Sequence, residues 1–130
     1  MIEIVRLRGR EKKLYQLVAP LIMDPEVLHK NNNYPFKTTE NYVWFIAIDG
    51  KQVIGFIPVE IKSKTAVINN YYVDEKEGEA LNLLISAVVS DIGAEKKLSS
   101  VTLTEDRATF EKLGFVLEKE WKRYVKMCKE

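Results

Sequence analysis

The sequence predicts an α/β domain built around a mixed sheet. Short runs rich in branched residues alternate with helical stripes, Asp49-Gly50 separates two strand-like runs, and a long apolar stripe from Leu81 to Ile92 stands between strand segments. The 130-residue length suits one domain, and 46% hydrophobic against 30% charged residues supplies both a core and a solvated surface. No repeat, low-complexity run or linker divides the chain, so residues 1–130 are read as a single domain.

The first element, Ile2 to Leu7, is a short strand punctuated by Gly9. Leu14, Leu17, Val18, Leu21 and Ile22 then fall at the spacing of an amphipathic helix. Pro20 lies inside that pattern and is expected to kink or restart the helix. Asp24 followed by Pro25 is a favoured start for a second, short helix through Glu26, Val27 and Leu28. Asn31 to Asn33 with Tyr34-Pro35 read as a polar loop.

Val43 to Ile48 and Val53 to Ile61 are strands joined at Asp49-Gly50, the strongest short hairpin signal. Ser63-Lys64 turns the chain into a third run, Ala66 to Val73, which completes an antiparallel meander. Leu81, Leu84, Ile85, Val88, Val89 and Ile92 form the longest helical stripe. Val101 to Leu103 reads as a short buried strand, and a helix from about Arg107 to Leu113 stops at Gly114. Phe115 to Trp121 and Tyr124 to Met127 close the chain as one bent strand or two short ones, broken at Lys122-Arg123.

Twenty basic and 19 acidic side chains give a net charge of +1, which removes the overall pull on nucleic acid or anionic membrane that a basic domain has. Trp121 to Lys126 interleaves aromatics with cations, but terminal strands of alternating exposure have the same composition, and the balance argues against nucleic acid. The single cysteine, Cys128, cannot form an internal bridge, and no apolar run reaches a membrane span. The expectation is a soluble protein of a reducing compartment, most simply the cytoplasm. His29 is the lone histidine, so no multi-histidine metal site is expected.

The order of elements, with Phe110-Glu111-Lys112-Leu113-Gly114-Phe115 near the end, resembles the GNAT acyltransferase superfamily, whose members commonly carry a Tyr-Glu-Lys-Leu-Gly-Phe-like stretch there. The resemblance covers the whole chain and implies a mainly antiparallel sheet of six or seven strands flanked by about four helices. It also implies an N-acetyltransferase that moves an acetyl group from acetyl-CoA to an amine, on a small molecule or a peptide. In that family a Gln/Arg-x-x-Gly-x-Gly/Ala signature enters the long helix, and its backbone N–H groups hold the cofactor pyrophosphate.

The matching stretch here is Glu75-Lys76-Glu77-Gly78-Glu79-Ala80. Gly78 and Ala80 keep the small positions, whereas Glu75 replaces the leading Gln or Arg. Asp74 and the three glutamates against Lys76 leave the loop at −3, which favours a helix start and opposes a diphosphate. The implied cofactor site is Tyr72, Val73, Glu75, Gly78, Glu79, Ala80, Leu81 and Phe110. Phe110 stands where many members have a tyrosine proposed to protonate the departing thiolate, and a phenyl ring donates no proton.

The strand before the loop carries Asn69 and Asn70 where members often have a glutamate base, leaving Glu60 and Tyr71 as catalytic candidates. Glu60 reads more readily as a solvent-facing carboxylate beside Lys62 than as a base, and Tyr71 more readily as an amphipathic sheet residue than as a catalyst. Two functions stay open: the acetyltransferase, and a GNAT-fold binding or partner module without transfer. The terminal strands also offer an edge for a homodimer.

Overall fold

A computed structural model describes residues 1–74, 76 and 78–129. The elements run β1 (Ile2–Arg8), α1 (Lys12–Ile22), α2 (Pro25–Lys30), β2 (Tyr42–Asp49), β3 (Gln52–Ile61), β4 (Thr65–Ile68), β5 (Tyr72–Val73), α3 (Ala80–Asp91), β6 (Lys97–Leu103), a 3₁₀ turn (Thr104–Asp106), α4 (Arg107–Lys112), β7 (Val116–Glu120) and β8 (Tyr124–Lys129). The strands make one 8-stranded mixed sheet in the order β1-β2-β3-β4-β6-β8-β7, with β5 on β3. Among the described residues only the β4–β6 pair is parallel. The sheet thus exceeds the expected six or seven strands by splitting one expected run in two.

The core lies on both faces of that sheet. Phe45 and Ala47 of β2 face α3 and its Leu84, Ile85 and Val88, whereas Trp44 and Ile46 face Leu14 and Val18 of α1. Burial on both sides explains why β2 and β3 read as unbroken apolar runs rather than alternating ones. The Asp49–Gln52 pair closes their hairpin, with Gly50 at φ +64°.

Several expectations change once the chain is folded. Helix α1 runs through Pro20 without a restart and ends two residues later, because a proline this close to the C-terminus deletes only one helical hydrogen bond. The second helix runs past Leu28 to take in His29 and Lys30, and Asp24 caps it by accepting from the Glu26 N–H at 2.9 Å. Strand β6 begins at Lys97, and its buried residues are Leu98, Ser100 and Thr102 rather than Val101 and Leu103. The two hydroxyls satisfy one another at 2.8 Å, which removes the penalty of placing them inside. The final segment is an antiparallel hairpin, but β7 is exposed along its whole length and does not alternate. Cys128 is partly exposed on β8.

The expected third strand, Ala66 to Val73, is broken in a way that shapes the site. β4 ends where Ile68 pairs with Val59, and β5 begins where Tyr72 pairs with Phe56. Three residues, Asn69 to Tyr71, therefore lie opposite two, Ile57 and Pro58, which is a β-bulge. Pro58 has no N–H to give the ladder at that point. Asn70 adopts φ +56°, a conformation asparagine tolerates, and its side chain accepts from Asn31 Nδ2 at 3.1 Å.

Candidate active site

The bulge separates two parts of the sheet that run together until Ile68. β4 pairs with β6 through Ser100, after which β5 stays with β3 while the end of β6 stays with β8. The strands diverge, and a cleft of about 270 Å³ opens between them. Tyr72, Val73 and Asp74 form one wall; Leu103, Glu105, Asp106 and Thr109 form the other. Gly78 and Leu81, at the start of α3, and Lys30 of α2 complete it.

The edge of β5 supplies a backbone donor to this cleft. The Asp74 N–H donates to the Ile54 carbonyl of β3 at 2.8 Å, and successive residues of a strand direct their polar groups to opposite edges. The Val73 N–H and C=O accordingly face away from β3, and Lys30 Nζ donates to the Val73 carbonyl at 3.4 Å. Gly55 allows β5 to lie this close to β3: a Cβ there would meet the Tyr72 carbonyl oxygen at 2.9 Å and Val73 Cα at 3.2 Å.

The start of α3 supplies further donors. The N-cap residue Glu79 makes no side-chain cap and is exposed, so its own side chain leaves the first-turn N–H groups uncapped. Among the described residues nothing lies within 4 Å of the position a Cβ would take on Gly78, which leaves its backbone open to close approach. Ala80, by contrast, is fully buried in the core, so packing of α3 on the sheet accounts for its small side chain.

Tyr71 closes the inner end of the cleft. It is buried, and its hydroxyl accepts the Leu103 N–H at 3.2 Å and donates to Asp106 Oδ2 at 2.5 Å. Burial first, then the Asp106 charge, pushes the phenol well above its ordinary range. Burial also raises the Asp106 carboxyl, outweighing the Tyr71 hydrogen bond and the charge of Lys30, which act the other way.

The structure therefore gathers Tyr71, Tyr72, Val73, Gly78 and Leu81 from the residues selected in the sequence and leaves others apart. Phe110 is fully buried and packs against Tyr71 and Phe115 with ring centroids 6.0 and 5.2 Å away, so it belongs to the core behind the cleft wall. Glu75 lies outside the described residues. Glu60 pairs with Tyr42 and Val67, four residues along β3 from Phe56, or about 13 Å at strand rise. Burial first, then the Glu60 charge, raises the Tyr42 phenol, and Glu60 does not line the cleft. Asp106 was not selected in the sequence; the only available signal was an acidic pair, Glu105-Asp106, directly after a strand.

A neighbouring hollow shares Lys30, Leu103 and Glu105 with the cleft and adds His29, Asn32 to Tyr34 and Arg123. Arg123 donates to Asn32 Oδ1 at 3.0 Å, and Asn32 Nδ2 donates to the Tyr124 hydroxyl, which ties the loop after α2 to the β7–β8 hairpin. Among the described residues no cluster of His, Cys, Asp and Glu could hold a metal ion. Nor is any described helix long and apolar enough to cross a membrane.

This chain, with its bulged strand, splayed sheet and helix start facing the opening, has the fold of the GNAT N-acetyltransferases. It superposes on ElaA from Escherichia coli with a TM-score of 0.80 at 15% identity, covering 100% of both chains. The ribosomal-protein-S18-alanine N-acetyltransferase of Escherichia coli matches with a TM-score of 0.74 at 16% identity over 99% of this chain and 93% of that one. A GNAT family acetyltransferase from Elizabethkingia anophelis with acetyl-CoA bound matches with a TM-score of 0.64 at 17% identity, over 99% and 97%. No protein-family model matches the sequence, and no curated protein matches it.

Proposed function

We propose that the protein is an N-acyltransferase that uses acetyl-CoA as co-substrate and an amine as acceptor. The observation that carries this reading is the splayed cleft, with the outward Val73 N–H on one wall and the start of α3 at its mouth. A thioester carbonyl polarised by the Val73 N–H is activated toward an amine, and a diphosphate suits the backbone donors at the start of α3 around Gly78 to Leu81. The neighbouring hollow at His29, Asn32 and Arg123 is the acceptor side in this reading. The acetyl-CoA-bound Elizabethkingia anophelis structure supports the choice of donor through shared fold.

Calorimetric titration of acetyl-CoA, and separately of CoA, tests the reading. Micromolar binding that Gly78→Trp abolishes is the expected result, because the indole would fill the space the backbone leaves open. Absence of binding at low and moderate salt overturns it. One observation favours the second reading, a GNAT-fold binding module without transfer: Asp74, Glu105 and Asp106 against Lys30 make the described cleft lining net acidic. Turnover with any amine excludes that version.

A further inference from the structure

We propose that Asp106 is the base that takes the proton from the attacking amine, and that Tyr71 is the residue that positions it. This rests on the acyltransferase reading above and names a group that the sequence did not single out. In the step, the amine nitrogen forms a C–N bond to the thioester carbon while the C–S bond breaks. The sulfur leaves with the electron pair as CoA thiolate, the nitrogen loses one proton to the Asp106 carboxylate, and Asp106 passes that proton to solvent.

The geometry supports the assignment in three ways. Asp106 sits in the 3₁₀ turn after β6, on the cleft wall that faces β5, and so across the opening from the Val73 N–H. Tyr71 is held in one orientation: its oxygen already accepts the Leu103 N–H, so its own hydrogen is committed to Asp106 Oδ2. That bond uses one of about four acceptor sites on the carboxylate and leaves the others for an amine. The remaining acids fit less well: Glu60 is remote along β3, Asp74 lies on the same wall as the Val73 N–H, and Glu105, which also lines the cleft, is exposed, whereas Asp106 is half-buried and held by Tyr71.

The charged and titratable groups around Asp106 are Tyr71 from the bulge, Lys30 from α2 and Glu105 from its own turn. Burial raises the carboxyl from its ordinary value, which moves it toward the working range of a base. The phenol, pushed well above its ordinary range, stays protonated and keeps donating.

The test measures CoA release from acetyl-CoA by the full chain, with an alanine-first peptide, free lysine and putrescine as probe acceptors, as a function of pH. Asp106→Asn is expected to lower kcat/KM by about 10²- to 10⁴-fold and to remove the acidic limb of the profile, with acetyl-CoA binding retained or strengthened in calorimetry. Asp106→Glu recovers part of the rate. Tyr71→Phe moves the acidic limb to higher pH, because the hydrogen bond that favours the carboxylate is gone; a purely structural role would lower the rate without moving the limb. An Asp106→Asn enzyme that keeps the wild-type limb overturns the inference while leaving the acyltransferase reading intact. Acetyl-CoA binding without CoA release to any probe also overturns the inference. A wild-type protein that binds no acetyl-CoA overturns both.

Discussion

Phe110 and Asp106 both touch Tyr71, one at its ring and one at its hydroxyl, and answer to different forces. Phe110 packs edge-on against Phe115 and fills the core completely, so Phe110→Ala is expected to cost about 3–5 kcal/mol in urea unfolding through the cavity it leaves. Asp106 carries the opposite expectation. Its carboxyl is raised in the folded state, so the protonated form is favoured by folding; that contribution is present below the unfolded value of 3.8 and is lost as pH rises through the folded value. At neutral pH the ionised group adds nothing through this linkage and still carries its desolvation cost. Asp106→Asn should therefore melt at the wild-type temperature or above it at pH 7, with the gain disappearing in acid. A clear drop in melting temperature at pH 7 would show that the Tyr71–Asp106 pair is held chiefly for stability.

At the scale of elements, two local devices set the site. The first is the end of α4, where Phe115 N–H bonds the Phe110 carbonyl and Gly114 N–H bonds the Glu111 carbonyl, both at 3.1 Å, with Gly114 at φ +99°. These are the paired bonds of a Schellman stop, and the Phe110–Phe115 contact is its accompanying apolar clasp. Gly114→Ala is expected to cost about 1–2 kcal/mol in chemical unfolding, because alanine disfavours this backbone conformation. The second device is the close approach of β5 to β3 at Gly55. Gly55→Val forces backbone atoms apart there, so acetyl-CoA binding should be lost in calorimetry while the far-UV spectrum stays near wild type. Retained binding would mean that β5 does not present the donor.

Over the whole molecule, the net charge of +1 hides an uneven distribution around the cleft. Its described lining holds three carboxylates and one lysine, and an incoming CoA is strongly anionic. Screening by salt weakens that repulsion, so acetyl-CoA affinity should rise from low to moderate ionic strength, opposite to the trend of a basic site. Ligand at about 100 times its dissociation constant should add about 2.7 kcal/mol of stability, a shift visible in thermal melting. Affinity that falls steadily with salt would indicate that cations such as Lys30 and Arg123 dominate the encounter.

The sequence by itself determined the order of elements, the Asp49-Gly50 hairpin, the long helix with its stripe from Leu81 to Ile92 and the stop at Gly114, because each depends on neighbours within a few residues. It also identified Tyr72, Val73, Gly78 and Leu81, which are contiguous with the strand-to-helix junction that forms one side of the cleft. Only the tertiary structure decided the rest. The bulge at Asn69 to Tyr71 exists because β4 and β5 pair with β3 in registers one residue apart, and that offset is a property of two ladders rather than of one strand. Asp106 meets Tyr71 across 35 positions of sequence, and Phe110 turns inward while its neighbour Thr109 lines the cleft. Periodicity reports which residues share a face; it carries no information on which distant strand that face will meet, or where two strands will part.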